Sequence, residues 1–318
     1  MSGRRPMVQI LMAVYNGEEY LCEQVDSLLS QTFGDWELLV SDDASSDGSL
    51  AILQEYARRD ERIHVVLEGE HYGSAKRHFM ALLRLADAPY VMTCDQDDVW
   101  DPDKIEVTLR AMRDAEEGKG ERPLLVCTDL RVVDGALREI SPSFLAYSGM
   151  DASTPSFGYF LASCLVTGCT MMVNRHLLGL LQRPARDESV IMHDWWASLI
   201  AAAFGEVIHL DRATIAYRQH GDNSVGADRF TVRRALAALE DKRATERAAI
   251  AQAGEFRRVF AKDLDERRLS QLDAYLKVPA APPVVRPALL TKAGVWRRGL
   301  LRNAGTLLVF MTLGRSGR

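Results

Sequence analysis

The amino-acid sequence predicts an α/β protein with a doubly wound, mostly parallel sheet and a helical C-terminal extension. In the first 130 of its 318 residues, five short apolar runs alternate with segments of helical periodicity. The runs are apolar at nearly every position, as expected for strands buried on both faces of a parallel sheet. Beyond residue 229 the chain becomes rich in Ala, Leu, Glu and Arg, which indicates solvated helices.

The five strands are predicted at 8–13, 36–40, 63–67, 89–93 and 124–128. A helix is predicted after each of the first four, because apolar residues recur there at the spacing of one helical face. In sheets of this kind ligands bind at the carboxyl ends of the strands, so the loops after the strands are where site residues are expected. The inward-facing residues of the four helices are Leu21, Val25, Leu28 and Leu29; Leu50, Leu53 and Tyr56; Phe79, Leu82 and Leu83; and Ile105, Leu109 and Met112.

The composition is that of a soluble globular protein, with 47% hydrophobic and 26% charged residues. A net charge of −5 argues against a nucleic-acid partner. The five cysteines are odd in number and form no CxxC pair, which indicates a reducing compartment. The apolar run near the N-terminus is short and leads into Asn-Gly instead of a cleavage site, so it is interpreted as the first strand. No stretch reaches the length of a transmembrane helix, and we expect a cytoplasmic protein.

The chain ends in a basic tail that follows a proline-rich hinge at 278–287. From Arg286 to Arg318 it has seven basic residues and no acidic one, around the apolar stretch TLLVFMTL. One interpretation is an amphipathic tail that contacts a membrane surface. The other is a helix docked on the rest of the protein or in a homodimer interface.

The stretch VMTCDQDDVWDPDK (91–104) places five carboxylates directly after a predicted strand. Their repulsion is unfavourable unless a cation, water or a helix N-terminus absorbs the charge. Asp95 and Asp97 can direct two carboxylates at one Mg²⁺ or Mn²⁺ ion, since hard oxygen ligands suit these metals. Asp101 and Asp103 flank a proline and predict the start of the next helix.

Two other loops that follow strands contain candidate binding residues. Tyr15 follows the first strand and can stack a planar base, although taken alone the segment favours an ordinary strand-to-helix turn. Asp42 and Asp43 follow the second strand. They either cap the next helix or accept a hydrogen bond from a base or ribose.

A further acid, Asp194, lies at the start of a predicted helix beside His193 and Trp195. It either caps that helix, with the tryptophan in the core, or serves as a general base. Large apolar neighbours favour the second role, because desolvation raises the pKa of a carboxyl group towards neutrality.

Together these motifs resemble those of the family 2 glycosyltransferases, which have a GT-A fold. The similarity is strongest to bacterial rhamnosyltransferase-like enzymes that build surface polysaccharides. It covers residues 7 to 226 and rests on five segments in the family's order. These are ILMAVYNGEEYLCEQVDSLLSQTFGDWELLVSDDASSDGS, YVMTCDQDDVWDPDK, TGCTMMVNRHLL, IMHDWWASLIAAAFGEV and AYRQHGDN.

The resemblance implies that Ala13, Tyr15 and Asp43 hold the base of a nucleotide, with Asp42 as a neighbouring contact. The family often has Thr where this chain has Ala13 and Gly where it has Ala44. These two departures affect hydrogen bonding to the nucleotide and leave the acidic residues intact.

The resemblance also implies a metal-diphosphate site and a catalytic base. Asp95 and Asp97 match the family's DxD motif, which contacts the ribose and the metal, and Asp194 matches the acid that deprotonates the acceptor hydroxyl. The expected cofactor is Mg²⁺ or Mn²⁺. Further contacts to the diphosphate or acceptor are expected from Asp98, His193, Trp195, Arg218 and His220.

The function implied is a metal-dependent, inverting transfer of a sugar, with rhamnose one candidate, from a UDP- or dTDP-sugar to a glycan or lipid-linked acceptor. We expect a catalytic domain at 1–228, with a nucleotide half at 7–130 and an acceptor half at 131–228. Residues 229–318 would form the helical region and its tail, on the inner face of the bacterial membrane. The alternatives are a Mg²⁺-dependent sugar-phosphate nucleotidyltransferase and a non-catalytic sugar-nucleotide-binding module.

Overall fold

A computed structural model of the protein describes residues 5–150, 156–219, 239–297 and 299–312. Within these ranges nine strands form one sheet and twelve α-helices pack around it. The strands are β1 (Val8–Val14), β2 (Trp36–Asp42), β3 (Ile63–Val65), β4 (Tyr90–Cys94), β5 (Val99–Trp100), β6 (Leu124–Asp134), β7 (Glu139–Ser141), β8 (Met171–Asn174) and β9 (Glu206–Gln219). The helices are α1 (Leu21–Leu29), α2 (Ser49–Arg59), α3 (Ala75–Leu85), α4 (Lys104–Lys119), α5 (Phe144–Tyr147), α6 (Phe157–Ala162), α7 (Arg175–Leu181), α8 (His193–Phe204), α9 (Leu239–Phe260), α10 (Glu266–Lys277), α11 (Arg286–Ala293) and α12 (Leu300–Thr312).

The sheet is mostly parallel, as predicted, with the strand order β3-β2-β1-β4-β8-β6-β9-β5 and β7 beside β6. β1 pairs in parallel with both β2 and β4, and β6 pairs in parallel with β9. The fifth predicted strand begins where expected but continues to Asp134 as β6. It does not lie beside β4, because β8 runs antiparallel between the two. A short apolar strand from later in the chain is therefore inserted into the sheet, which the local pattern of residues 124–128 could not reveal.

The first four predicted helices form because each buries apolar residues against the sheet, although Leu50 of α2, expected to face inward, is 37% exposed. In α1, for example, Leu21, Val25 and Leu28 are completely buried. The first three of these helices follow the parallel strands β1, β2 and β3, α4 follows the short strand β5, and each helix returns the chain to the opposite end of the strands. The carboxyl ends of β1, β2 and β4 consequently lie side by side, and residues Val14 and Asp42 are direct partners in the sheet. This edge is where the candidate site is found.

The C-terminal helices pack against the second half of the sheet domain. Trp196 of α8 contacts Phe256 and Phe260 of α9, with ring centroids 5.8 and 6.0 Å apart. Tyr275 of α10 and Phe310 of α12 are completely buried and belong to the same apolar core. The sequence predicted these helices as solvated, whereas each buries one face on the rest of the protein.

Three arginines of the basic tail are bound inside the protein. The Arg286 side chain is buried and donates hydrogen bonds to the carbonyl oxygens of Phe310 and Ala281, at 2.5 and 3.0 Å. Arg297 donates to the carbonyl oxygen of Ala162, the last residue of α6, and Arg302 donates to a carbonyl oxygen after α5. The described part of the chain contains no helix with the length and apolar character needed to cross a bilayer.

Candidate active site

The candidate site is built at the carboxyl ends of β1, β2 and β4, where the parallel register brings three predicted loops together. Met12 of β1 is paired with Cys94 of β4, so Asp95 follows β4 near the carboxyl end of β1, which continues to Val14. Asp43 directly follows β2, and its backbone N–H donates to the Val14 carbonyl at 2.8 Å. The acids that the sequence placed after separate strands therefore share one edge of the sheet.

Tyr15 is 57% exposed, which leaves its ring available to stack a base. Ala13 lies two residues earlier, in β1, and is half-buried. The backbone of Tyr15 is fixed by the Gln96 side chain, whose Oε1 accepts from Tyr15 N at 2.7 Å. The exposed ring thus stands on a backbone that is held in place.

Asp42 and Asp43 have different structural roles. Asp42 accepts a hydrogen bond from Ser45 N at 2.9 Å and closes a turn before α2, so it does not cap that helix, whose N-cap residue is Gly48. Asp43 is 4% exposed and accepts from Tyr72 N at 2.5 Å and Gly73 N at 2.9 Å. A carboxylate fixed by two backbone donors is already oriented, and it retains lone pairs for a further donor.

The first acids of the 95–103 cluster gather around a buried thiol. The ligand atoms of Asp95, Asp98 and Cys169 all lie within 4.8 Å of one another. Burial, followed by repulsion from Asp97 and Asp194, raises the pKa of Asp95 to about 7. Asp98 is completely buried, and burial raises its pKa well above the usual range.

A divalent cation fits the more accessible of these acids. Asp95 and Asp97 are half-buried and offer hard carboxylate oxygens, which suit Mg²⁺ and Mn²⁺. Asp98 and Cys169 lie deeper, and burial raises the pKa of the thiol well above its usual value, so it would stay protonated at neutral pH. Asp95 and Asp97 therefore remain the candidate metal ligands, and Asp98 is more deeply buried than either.

The last acids of the cluster are neutralised by arginines and do not face the site. Arg131 binds both carboxylate oxygens of Asp101, at 2.5 and 2.8 Å. Arg212 pairs with Asp103 at 2.6 Å. The start of α4 is where the sequence predicted it, but neither carboxylate caps the helix. Salt bridges to β6 and β9 absorb these two charges.

Arg218 is almost completely buried and is bound to protein groups. Its guanidinium donates to the carbonyl oxygens of Asp97 at 2.9 Å and Gly135 at 2.5 Å, and pairs with Glu23 at 2.6 Å. The Arg218 backbone N–H also donates to Asp98 Oδ1 at 3.2 Å. The arginine therefore stabilises the DxD loop through hydrogen bonds to Asp97 and Asp98. His220, in the same motif, lies outside the described residues.

Asp194 begins α8 and lies near the DxD acids. Its Oδ1 accepts from Trp195 N at 2.6 Å, and its carboxyl group also accepts from the backbone of Gly168. Burial raises its pKa to about 6, and its charge in turn raises the pKa of Asp95. A carboxylate with this pKa is ionised at neutral pH and basic enough to accept a proton.

His193 and Trp195 are turned into the core. Trp195 is 8% exposed and its Nε1 donates to the Phe160 carbonyl at 2.7 Å. His193 stacks on Phe79, with ring centroids 4.1 Å apart, and burial lowers its pKa to about 3. Both surround the catalytic candidate and are not placed to receive a substrate directly.

Four contributors to the site were not singled out from the sequence. Gln96 separates the DxD acids, Gly168 and Cys169 lie in the TGCT segment, and Thr93 Oγ1 donates to Gly168 O at 2.6 Å. A Cβ atom on Gly168 would come within 2.7 Å of His193 Nε2, so a larger residue there would have to displace the His193 ring. The available signal was the glycine and cysteine in a segment between two strands of the sheet.

Comparison with known proteins gives the same picture as the geometry. Residues 9–119 match the family model for glycosyl transferase family 2. The putative teichuronic acid biosynthesis glycosyltransferase TuaG of Bacillus subtilis is 34% identical over 188 residues, which are 58% of this chain and 68% of TuaG. The dTDP-rhamnosyl transferase RfbG of Shigella flexneri is 28% identical over 228 residues, 68% of this chain and 74% of RfbG.

Solved structures share the fold. Staphylococcus aureus TarS in complex with UDP-GlcNAc has a TM-score of 0.55 at 14% identity, covering 97% of this chain and 90% of the TarS chain. The mannosyltransferase PcManGT from Pyrobaculum calidifontis, in complex with GDP-Man and Mn²⁺, has a TM-score of 0.51 at 18% identity, covering 97% and 86%. These neighbours confirm the GT-A fold expected from the motifs. With a relative above 30% identity matched over two thirds of its length, the chain belongs to the family 2 glycosyltransferases.

Proposed function

We propose that the protein transfers a sugar from a UDP- or dTDP-sugar to a hydroxyl group of a glycan or lipid-linked acceptor, with inversion at the anomeric carbon. The observation that carries this proposal is the position of Asp194. An oriented carboxylate with a pKa near 6 lies close enough to the DxD acids to raise the pKa of Asp95. A base beside the proposed diphosphate site suits a reaction in which the acceptor oxygen displaces the diphosphate in a single step.

In the proposed reaction Asp194 removes the proton from the acceptor hydroxyl. The acceptor oxygen then forms a bond to the anomeric carbon from the face opposite the diphosphate, while the bond to the diphosphate oxygen breaks. A divalent cation held by Asp97 and Asp95 would neutralise the charge that develops on the leaving group. The backbone N–H groups of Trp195 and Gly168 keep the base oriented throughout.

The donor is proposed to bind along the edge of β1, β2 and β4. Its base would stack on Tyr15, with Ala13 beneath it, and Asp43 would accept a hydrogen bond from the base. Rhamnose is our first candidate for the donor sugar, because RfbG is a dTDP-rhamnosyl transferase. UDP-GlcNAc is the second, because TarS was solved with it.

A donor screen tests this function. Purified protein is incubated with UDP- and dTDP-sugars, Mn²⁺ or Mg²⁺ and a panel of glycan and lipid-linked acceptors, and released nucleoside diphosphate is measured. The anomeric configuration of the product is then determined by NMR. Asp194→Asn is the matched inactive control, and turnover by the wild type alone would exclude the non-catalytic binding module. Release of inorganic pyrophosphate from a nucleoside triphosphate would instead indicate the nucleotidyltransferase.

We also propose that the helical region, 229–318, holds the catalytic domain, 1–228, at the cytoplasmic face of the bacterial membrane. Leu308 and Met311 support this, since they lie one helical turn apart on α12 and are 44% and 36% exposed. Because Arg286, Arg297 and Arg302 are bound within the protein, apolar contact would contribute more than the tail's charge.

Flotation with anionic vesicles tests the membrane contact. Replacing Leu308 and Met311 together by Gln should reduce flotation while the protein stays folded. Truncation before Arg286 is a poorer test, because it removes the buried Phe310. Equal flotation of the wild type and the double variant would contradict the proposal, and light scattering on the same samples would reveal the expected homodimer.

A further inference from the structure

Gln96 connects two parts of the site that lie on different strands. It stands between Asp95 and Asp97 in sequence, yet its side-chain amide binds the backbone of Tyr15 at the end of β1. Oε1 accepts from Tyr15 N at 2.7 Å and Nε2 donates to Tyr15 O at 3.0 Å. These two bonds use both the donor and the acceptor of the side-chain amide, as a neighbouring strand would with its backbone.

The chain around Tyr15 is shaped to receive this amide. A Cβ atom on Gly17 would lie 2.7 Å from the Gln96 Cδ atom, so the glycine provides the space that the side chain occupies. Asn16 adopts a left-handed backbone, with φ of 48°, and its Oδ1 accepts from Ser46 N at 2.8 Å. The loop after β1 is thus fixed on one side by the β2 loop and on the other by Gln96.

We propose that Gln96 is a positioning residue that couples the base platform at Tyr15 to the metal-diphosphate loop, so that nucleotide and metal bind cooperatively. The inference rests on the proposed function, in which Tyr15 meets the base and Asp95 and Asp97 meet the metal. A ligand that orders one loop also orders the other through the amide, and the second ligand then meets a smaller ordering cost. By linkage the effect is reciprocal between the two ligands.

The test measures how much a metal strengthens nucleotide binding. Calorimetry gives the dissociation constants of UDP and dTDP in Mn²⁺ and in EDTA, and their ratio is the metal enhancement. Gln96→Leu removes both hydrogen bonds at nearly constant size, and we expect it to lower the enhancement by roughly tenfold, within the usual range of coupling between sites. Gln96→Glu keeps an acceptor for Tyr15 N, loses the donor to Tyr15 O, and should have an intermediate effect.

Gln182→Leu is the matched control. Gln182 Nε2 also donates to two backbone carbonyls, those of Ala86 at 2.7 Å and Leu83 at 3.1 Å, but it follows α7 and has no part in the site. Its loss should lower stability and leave the metal enhancement at the wild-type value. This separates coupling from a general loss of side-chain-to-backbone bonds.

A second measurement does not depend on the nucleotide. Amide hydrogen exchange at Tyr15 should be slow in the wild type and fast in Gln96→Leu, because the variant lacks the Oε1 acceptor of the Tyr15 N–H. An unchanged metal enhancement in Gln96→Leu overturns the inference, and so does unchanged protection of Tyr15. If Gln96→Leu does not fold, the metal-enhancement criterion alone applies to Gln96→Glu, because that variant keeps the acceptor for Tyr15 N. If the wild-type protein binds neither UDP nor dTDP, both the proposed function and the coupling are overturned. If the wild type binds nucleotide and Gln96→Leu has the same metal enhancement, only the coupling is overturned.

Discussion

Replacing the proposed catalytic base should remove activity and at the same time stabilise the protein at neutral pH. Burial raises the pKa of Asp194 from 3.8 to about 6. At about 1.4 kcal/mol per pKa unit, keeping this carboxylate ionised in the folded protein costs about 3 kcal/mol at pH 8. Asp194→Asn removes the charge, while kcat should fall by roughly 10²–10⁴-fold through loss of the proton acceptor.

The sign of the pH dependence follows from proton binding. Between the unfolded pKa of 3.8 and the folded value of about 6, the folded protein holds the extra proton, so the contribution of Asp194 to stability decreases as pH rises. Above pH 6 it is constant. The unfolding free energy of Asp194→Asn relative to wild type should therefore increase by about 2 kcal/mol between pH 4.5 and 7.5.

Urea denaturation of both proteins at several pH values measures this difference. The change with pH is a better criterion than the absolute gain, because the amide has one oxygen for the N–H groups of Trp195 and Gly168 and loses about 1 kcal/mol there. Asp60→Asn is the control. Hydrogen bonding to Arg62 lowers the pKa of Asp60, so its contribution changes only below the tested range and its difference curve should be flat. A flat curve for Asp194→Asn as well would refute the reasoning.

Three further perturbations address the groups around the base. Asp97→Asn, or EDTA added to the wild type, should weaken donor binding at least tenfold in calorimetry, because a metal ligand or the metal is lost; undiminished affinity in both cases contradicts the metal role. Arg218→Lys should lower the unfolding free energy by about 2–4 kcal/mol in urea denaturation, since an ammonium cannot bind two carbonyls and Glu23 together; a stability equal to wild type would show that the hydrogen bonds of the Arg218 guanidinium are dispensable. Gly168→Ala should cost about 1–3 kcal/mol of stability by pressing on His193, and should lower kcat more than it raises the donor KM; an unchanged kcat would separate Gly168 from the base.

The sheet and its acidic edge could be predicted because their signals are local. Continuous apolar runs and helical stripes depend on neighbouring residues, and the carboxyl ends of parallel strands must meet at one edge. This rule led to the pairs Asp42 and Asp43, and Asp95 and Asp97, whereas the choice of Asp43 within its pair came from the family resemblance. The insertion of β8 between β4 and β6 could not be predicted, since a four-residue apolar segment fits many positions in a sheet.

Individual side-chain roles within the edge were harder to predict, because they depend on partners distant in sequence. Asp42 and Asp43 are adjacent and chemically identical, yet one closes a turn and the other is held by the loop after β3. Asp101 lies just before the start of α4, as expected, but its carboxylate pairs with Arg131, thirty positions later, on β6. Arg218 was expected near the diphosphate and is enclosed by carbonyl groups and Glu23.

The basic tail shows why composition alone is a weak guide to location. An excess of Arg over acidic residues indicates an anionic partner only where the guanidinium groups reach solvent. Arg286 instead binds the carbonyl oxygen of Phe310, which belongs to the last turn of α12, where carbonyl groups have no partner within the helix. The same positive charge also favours a helix C-terminus electrostatically. The arginine thus supplies what the end of α12 lacks, and the buried Phe310 holds that helix on the core of the enzyme.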